Sequence, residues 1–484
     1  MSRSYFDSHV PIVALATPEG RSALAIIRTS GEAAIDIVAR CFSQPEALLG
    51  AAGYEAVHGW IIDPVTKERI DEVMALVYKA PHSFTGENAV EILCHGSIVV
   101  VRRILDVLYA QGFSPALQGE FSFRAFIEGK TDLVRAEAIN ELSLASCEAA
   151  RHDALLRLSG VLSRRLKELR SMMLDALADI DARLDYSEDE GPEKIESWPT
   201  IICQAQSSII ELLKSYPGGK LRQEGLLVVI AGRPNAGKSS LFNLLVQEER
   251  AIVSSEPGTT RDWLESWITM GGLAVRLVDT AGLRNSKNEI EIEGVRRARA
   301  MLDQADLILY LVDGTVGLYE EDKTFMASYP GALFLWNKVD RTDCLAVPSG
   351  WKATSAKDLA SFGSLESMLV DELRAKVDEG YGMQGHEPQG QNPPTCNSQD
   401  PTPLSRERQS YERQIRIVSE RQKQLLYKAQ EALNRAMEAH KAGVALDLVS
   451  LHIQEAAESI GEISGDIASE EVLEHIFSSF CLGK

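Results

Sequence analysis

Gly232-Arg233-Pro234-Asn235-Ala236-Gly237-Lys238-Ser239 is the stretch on which the fold turns. It fits the phosphate-loop pattern of glycine, four residues, glycine, lysine and a hydroxyl residue. It lies where that pattern requires, between the apolar run Leu226–Ile230 and the helical stretch Ser240–Val246. A strand, a glycine-rich turn and a helix follow in order, and backbone N–H groups of the turn and helix start can cradle phosphate oxygens. Lys238 can meet the β/γ charge and the Ser239 hydroxyl can ligate Mg²⁺. Asn235, Ala236, Gly237, Lys238, Ser239 and Ser240 are therefore expected to contact a nucleotide.

Three further segments extend this site. Asp279-Thr280-Ala281-Gly282 follows the apolar strand Val275–Val278, which places a carboxylate at a strand end to reach the Mg²⁺ shell and a glycine amide to sense the γ-phosphate. The strand Leu333–Trp336 delivers Asn337-Lys338-Val339-Asp340. The Asp340 carboxylate can accept from guanine N1–H and N2–H₂, a donor pair that adenine lacks. Ser355-Ala356-Lys357 has the composition of a base-supporting loop. Gly258-Thr259-Thr260-Arg261-Asp262 offers a threonine hydroxyl to complete Mg²⁺ coordination when the γ-phosphate is present, as a switch segment does. Leu283 follows Gly282 where Ras-like enzymes carry a water-orienting glutamine, so that group must come from elsewhere. Glu289, Glu291 and Glu293 are candidates, although the residues alone favour an acidic helix start.

Away from this centre, 484 residues predict two to four domains. With 45% hydrophobic and 25% charged residues, and no apolar run long enough for a bilayer, the composition is that of a soluble globular chain. Val10–Ala16 contains Pro11 and follows Asp7 and His9, so it reads as a strand rather than a secretory signal. Seven cysteines are scattered singly without metal-site spacing, which fits a reducing cytoplasm. The net charge of −20 opposes nucleic acid, so any contact with it needs a local basic patch or a partner's charge. Arg164, Arg165, Lys167 and Arg170, and Arg406, Arg408, Arg413 and Arg416, read first as solvated helix faces.

The fold class expected is multidomain, α+β and α/β. Residues 1–118 mix strand-like runs (Ile12–Ala16, Leu24–Arg28, Val73–Val77, Val90–Cys94) with one helix near Val99–Leu108. Residues 119–215 turn helical, and the apolar positions from Leu155 to Ile180 recur every three or four residues, predicting one long helix. Pro217-Gly218-Gly219 predicts its end before an α/β unit over 224–378. Residues 379–407, crowded with Gly, Gln, Asn and Pro, predict a flexible linker, and 408–484 return to helical spacing. Two helical stripes that each need a partner predict an α/β unit inserted into one discontinuous helical domain.

Gly232–Ser240, Gly258–Asp262, Asp279–Arg284 and the terminal Phe477-Ser478-Ser479-Phe480-Cys481-Leu482-Gly483-Lys484 together resemble the MnmE (TrmE) family of tRNA-modification GTPases. Ala16-Thr17-Pro18-Glu19-Gly20-Arg21, Ser83-Phe84-Thr85-Gly86-Glu87 and Gly119-Glu120-Phe121-Ser122 do so as well, and the resemblance covers nearly the whole chain. It implies an N-terminal folate-binding and dimerisation domain, a discontinuous helical domain and an inserted Ras-like P-loop GTPase domain. It also implies a homodimer, and folate contacts at Arg28, Glu91, Lys130 and Lys484 for a 5-formyl- or 5,10-methylene-tetrahydrofolate.

In the nucleotide site the resemblance extends the contacts over Ser254, Ser255, Glu256, Pro257, Gly258, Thr259 and Thr260, and over Asp279, Thr280, Ala281 and Gly282. Mg²⁺ ligands would be Ser239 and Thr260. K⁺, standing in for an arginine finger where two GTPase domains meet, would be held by Asn235, Ser254, Glu256 and Thr259. Ser254 and Glu256 depart from the family pattern, a change that backbone carbonyl ligation survives. Glu291 would orient the attacking water. The implied reaction adds an aminomethyl or carboxymethylaminomethyl group at C5 of the wobble uridine of certain tRNAs. It would use an FAD-dependent MnmG (GidA)-type partner in a heterotetramer, in the cytoplasm. Cys481 is a possible reactive thiol, though no activating base is visible in sequence.

Two other readings use the same motifs. One is a GTPase switch in ribosome assembly or RNA binding, against which stand the acidic charge and the lack of a basic GXXG loop or RNP aromatics. The other makes the GTPase domain a regulatory passenger on a folate enzyme.

Overall fold

The computed structural model describes residues 4–7, 10–185, 197–248, 250–251, 264–280, 296, 299–355, 357, 359–379 and 415–484. Two compact units emerge. One comprises Met1–Asn140, Leu158–Arg170 and Ala457–Lys484, the other Glu141–Arg157 and Ser171–Ala456.

In chain order the described elements begin with β1 (Ile12–Leu15), β2 (Leu24–Ser30), α1 (Ala34–Arg40), α2 (Pro45–Gly50), β3 (Glu55–Ile62), β4 (Arg69–Tyr78) and β5 (Ala89–His95). There follow α3 (Ile98–Ala110), β6 (Ser114–Pro115), α4 (Glu120–Ile127) and α5 (Leu133–Leu144). The strands form one sheet in the order β3-β4-β5-β2-β1-β6, antiparallel except for the β1–β6 pair. Alternation sends Val13, Ile27, Val77 and Ile92 to one face, where they pack on Val38 of α1 and Ile104 and Leu108 of α3. The opposite face carries Leu24 and Met74, 60% and 38% exposed. All four strand runs and the helix expected over 1–118 are present, joined by β3, β6 and two short helices. The compact unit continues past residue 118, because Phe123 of α4 stacks edge-on against Phe477 with ring centres 5.5 Å apart. The chain's last residues thus return to its first domain.

The helical and α/β elements are α6 (Glu148–Leu158), α7 (Val161–Asp185), α8 (Trp198–Glu224), β7 (Leu226–Gly232), α9 (Lys238–Glu248), β8 (Arg250–Ala251), β9 (Leu264–Met270) and β10 (Leu273–Asp279). After them come β11 (Leu307–Asp313), α10 (Glu320–Ser328), β12 (Leu333–Asn337), β13 (Lys352–Ala353), α11 (Leu359–Glu379), α12 (Glu420–Lys441), α13 (Leu446–Ser464) and α14 (Glu470–Ser478).

Two helical expectations are corrected. The stripe from Leu155 to Ile180 is not one helix: Gly160, at φ +79°, separates α6 from α7, and a side chain there would strike Arg135. Pro217-Gly218-Gly219 does not end a helix either, since α8 runs through it to Glu224. Proline removes the ladder bond to the Leu213 carbonyl, and beside it the Ser215 hydroxyl donates to the Leu212 carbonyl and accepts from the Ile417 N–H. The glycine at 219 lets the backbone approach Ile417, whose carbonyl oxygen would lie 2.4 Å from an added Cβ.

The second sheet has the order β13-β12-β11-β7-β10-β9-β8, parallel from β13 to β10 with β9 and β8 antiparallel at one edge. Leu226, Ile230, Leu277 and Leu309 pack on Leu241 of α9 and Leu369 of α11 on one face, and Ala231, Tyr310 and Trp336 face the other. This is the doubly wound arrangement, in which ligands sit beyond the carboxyl ends of the strands. Helices from either side of this unit in sequence meet: Gln206 of α8 donates to Asn434 of α12 at 2.8 Å, and the Trp198 and His440 rings lie 4.6 Å apart. The fold class is as expected, a P-loop α/β domain inserted into a discontinuous helical domain. No helix among the described residues is long and apolar enough to cross a membrane.

Candidate functional site

Four parallel strands bring their carboxyl ends together at one rim of the second sheet. From β7 comes the phosphate loop, with Lys238 and Ser239 opening α9; from β10 comes Asp279; from β11, Asp313; and from β12, Asn337. Lys238 is buried, its Nζ donating to the carbonyls of Gly232 and Arg233 at 2.9 and 2.8 Å. The ammonium is thereby held over the loop that would surround a phosphate. The Ser239 hydroxyl donates to Asp279 Oδ2 at 2.8 Å, so two hard oxygen donors meet where Mg²⁺ would sit, and they fit that ion's chemistry. Thr280 is tied by its hydroxyl to the Ile230 carbonyl at 2.9 Å.

The base side is joined to the phosphate side directly. Asn337 Nδ2 donates to the Ala236 carbonyl at 2.7 Å, and a side chain on Gly237 (φ +98°) would meet that nitrogen at 2.1 Å. Only glycine fits there. Asp340 accepts from the Ser355 hydroxyl at 2.6 Å, and this hydrogen bond holds its carboxyl below the usual carboxylate range. The Ser355 hydroxyl also receives the Lys357 N–H at 3.3 Å. Lys338 reaches Asp313 at 2.6 Å, a partner that sequence reasoning missed, although Asp313 closes an apolar strand just as Asp279 does. Of the remaining nucleotide and metal candidates, Asn235 occupies the loop at φ +65° and Ser240 lies in α9. Ser254, Ser255, Glu256, Pro257, Gly258, Thr259, Thr260, Ala281, Gly282, Glu291 and Ala356 lie outside the described residues.

A second site lies in the first unit. Neighbouring strands β2 and β5 place Arg28 opposite Glu91, and Arg28 Nε donates to Glu91 Oε1 at 2.8 Å. The guanidinium lies 5.6 Å from the Phe84 ring centre and 5.7 Å from that of Phe121, and Nη1 donates to the Gly483 carbonyl at 3.2 Å. Tyr78 donates its hydroxyl to Glu91 at 3.2 Å, and burial, with the Glu91 charge adding, pushes its pKa up to about 12. Arg28, Tyr78, Phe84, Thr85, Glu91 and Phe121 line a cavity of about 270 Å³. Aromatic walls around a positioned cation and carboxylate suit a planar heterocycle bearing polar edges, so a folate fits these residues. Lys130 donates to the Pro81 carbonyl at 2.8 Å, beside Gly86 of the Ser83–Glu87 loop. Lys484 reaches the Ile139 carbonyl at 3.4 Å, and burial, with the Arg28 charge adding, lowers its pKa. Cys481 is exposed.

Two family models cover this architecture: one described as "GTP-binding protein TrmE N-terminus" matches residues 11–130, and one described as "MnmE helical domain" matches residues 133–481. A protein named tRNA modification GTPase MnmE from Treponema denticola is 37% identical over 480 residues, 98% of each chain. The chain belongs to the MnmE family of tRNA modification GTPases. Relatives of the same name from Salinibacter ruber and Natranaerobius thermophilus are 38% and 36% identical, each match covering 98% of this chain and 99% of the relative. Within this MnmE frame, sequence reasoning had assigned no role to Tyr78, Phe84, Thr85 and Phe121 in the first-unit cavity. Phe84, Thr85 and Phe121 stood in two of the quoted motifs, which was the available signal. Tyr78 had none, because a strand tyrosine reads as ordinary β propensity.

Proposed function

We propose that this chain is a potassium-activated GTPase that hydrolyses GTP to GDP and phosphate. With an FAD-dependent flavoprotein partner of the MnmG type, it adds an aminomethyl or carboxymethylaminomethyl group at C5 of the wobble uridine of certain tRNAs. The observation that carries this reading is the pairing of two sites in one chain of this family: a nucleotide rim at Lys238, Ser239, Asp279 and Asn337, and an Arg28–Glu91 cavity tied to the chain's own terminus through Gly483.

In this reading residues 1–118 form the folate-binding and dimerisation domain, 119–215 and 408–484 the helical domain, 224–378 the GTPase domain, and 379–407 a linker. Ser239 and Thr260 hold Mg²⁺, with Asp279 in its outer shell, and Asn235, Ser254, Glu256 and Thr259 hold K⁺. Lys238 and K⁺ offset charge that develops on the phosphates. Asp340, kept ionised by Ser355, accepts from guanine. Arg28, Glu91, Lys130 and Lys484 bind the folate, the terminal Lys484 meeting its glutamate carboxylate. The exposed sheet face bearing Leu24 and Met74 supports homodimerisation through the first domain. A cytoplasmic setting agrees with the chemistry of the substrates.

The test is to purify the protein, titrate it with 5-formyltetrahydrofolate and measure GTP hydrolysis in K⁺ and in Na⁺. Folate binding together with faster turnover in K⁺ is expected. No folate binding together with K⁺-insensitive turnover removes the reading.

A further inference from the structure

Behind the Arg28–Glu91 cavity lies a buried hydrogen-bond line that none of the family contacts uses. Thr85, 2% exposed, lines the cavity. Its Oγ1 is 2.6 Å from Ser30 Oγ, and Ser30, fully buried, donates to Glu87 Oε2 at 2.6 Å. A serine hydroxyl has one hydrogen. Since that of Ser30 goes to Glu87, the hydrogen between Ser30 and Thr85 must be threonine's. Ser83 donates elsewhere, to the Glu87 carbonyl at 2.6 Å, and the Glu87 N–H donates to Thr85 Oγ1 at 3.3 Å. The Thr85 and Ser30 hydroxyl hydrogens therefore both point from the cavity toward the Glu87 carboxylate.

The far end is fixed. Arg124, 2% exposed, donates from Nη1 to both Glu87 oxygens at 3.1 and 3.0 Å, and from Nη2 to Glu120 at 2.9 Å and the Val10 carbonyl at 2.7 Å. One guanidinium thus faces two carboxylates, and a proton arriving on Glu87 cancels charge rather than creating it.

We propose that Thr85, Ser30 and Glu87 form a proton relay that serves the ligand of the Arg28–Glu91 cavity. The inference rests on the folate reading of that cavity. A proton of a positively charged nitrogen on the bound heterocycle, or of an ammonium held against it, passes to Thr85 Oγ1. The threonine proton moves to Ser30 Oγ, and the serine proton to Glu87 Oε2. One N–H bond breaks and its electron pair stays on nitrogen, which becomes the better nucleophile. One O–H bond forms on Glu87, and the hydroxyls end with the protons they began with. Hydrogen bonds of 2.6 Å through two buried hydroxyls are suited to such a transfer. Glu87 acts on the ligand only through the two hydroxyls.

The test uses the full chain with its flavoprotein partner and tRNA, comparing wild type with Thr85→Val, Thr85→Ser and Glu87→Gln. Valine keeps the shape of threonine without the hydroxyl. Glu87→Gln should bind 5-formyltetrahydrofolate as wild type does and Thr85→Val within about tenfold of it, yet both should modify tRNA about 10²-fold more slowly, in line with general acid–base contributions. The solvent deuterium isotope effect should disappear, and Thr85→Ser should restore both rate and isotope effect. Thr85→Val at full rate with an unchanged isotope effect overturns the relay, as does Glu87→Gln at full rate. A loss of folate affinity in Thr85→Val as large as its loss of rate overturns it too, because the hydroxyl would then act through binding alone. Absence of folate binding by wild type removes the folate reading, and the relay with it.

Discussion

Asn337 donates through Nδ2 to the carbonyl of Ala236 at 2.7 Å, so the loop that reads the base also braces the loop that holds the phosphates. Both groups are buried, and removing the donor leaves the Ala236 carbonyl without it. A lost buried hydrogen bond costs about 1–3 kcal/mol. Asn337→Ala should therefore weaken GDP and GTP alike by roughly tenfold to a hundredfold. Titration with a fluorescent guanine nucleotide checks this, and an unchanged Kd would show that the brace is dispensable.

Gly237→Ala tests the same junction from the other side. The new Cβ would lie 2.1 Å from Asn337 Nδ2, in a backbone conformation of φ +98° that alanine resists. Strain of this kind costs about 1–3 kcal/mol before the clash is counted. Nucleotide affinity should fall at least tenfold, while the first unit, whose sheet is separate, keeps its folate affinity. Equilibrium binding of both ligands measures the two effects independently.

Arg28→Met keeps an apolar stem but removes the guanidinium that lies beside Phe84 and Phe121. Hydrogen bonds to charged groups contribute about 1.5–3 kcal/mol, so 5-formyltetrahydrofolate should bind about 10- to 100-fold more weakly. Arg28→Lys should recover only part of this, since a lysine cannot reach Glu91 and the Gly483 carbonyl with one planar fork. Full recovery by lysine would argue for charge alone.

Glu420 couples α12 to α8. It accepts from the Tyr216 hydroxyl at 2.5 Å, and that bond, with help from Gln424 and Lys423, lowers its pKa to about 2. A folded-state pKa below the unfolded value of about 4.3 means stabilisation that is complete above that value and lost as pH falls toward 2. Thermal unfolding followed between those pH values should show Glu420→Gln losing less stability on acidification than wild type. Parallel pH dependences would show that the bond adds nothing to folding.

Glu291 lies outside the described residues, and its role rests on family resemblance. Glu291→Ala should keep GTP affinity but lose most K⁺-stimulated phosphate release. Unchanged turnover would falsify the role.

The nucleotide site was legible in the sequence because each of its parts is a contiguous run whose local backbone does the chemistry. Gly232–Ser239 specifies a strand, a turn with a glycine at positive φ and a helix start, and Asn337–Asp340 follows a strand that can end only at a sheet rim. Periodicity likewise revealed the helices but not their ends. It could not register that Gly160 would divide one stripe between two helices, or that α8 would run on through Pro217 with Ile417 packed against Gly219, because those outcomes depend on partners distant in sequence. The Arg28 cavity is the extreme case: Arg28 and Gly483 stand 455 positions apart and meet only because α14 packs Phe477 against Phe123 of α4. Sequence alone thus determined that the chain holds a guanine nucleotide in a P-loop domain. Only the tertiary structure decided how the chain's end reaches its first domain and which hydroxyls line up behind the pocket, since spacing encodes local geometry while burial decides which distant surfaces meet.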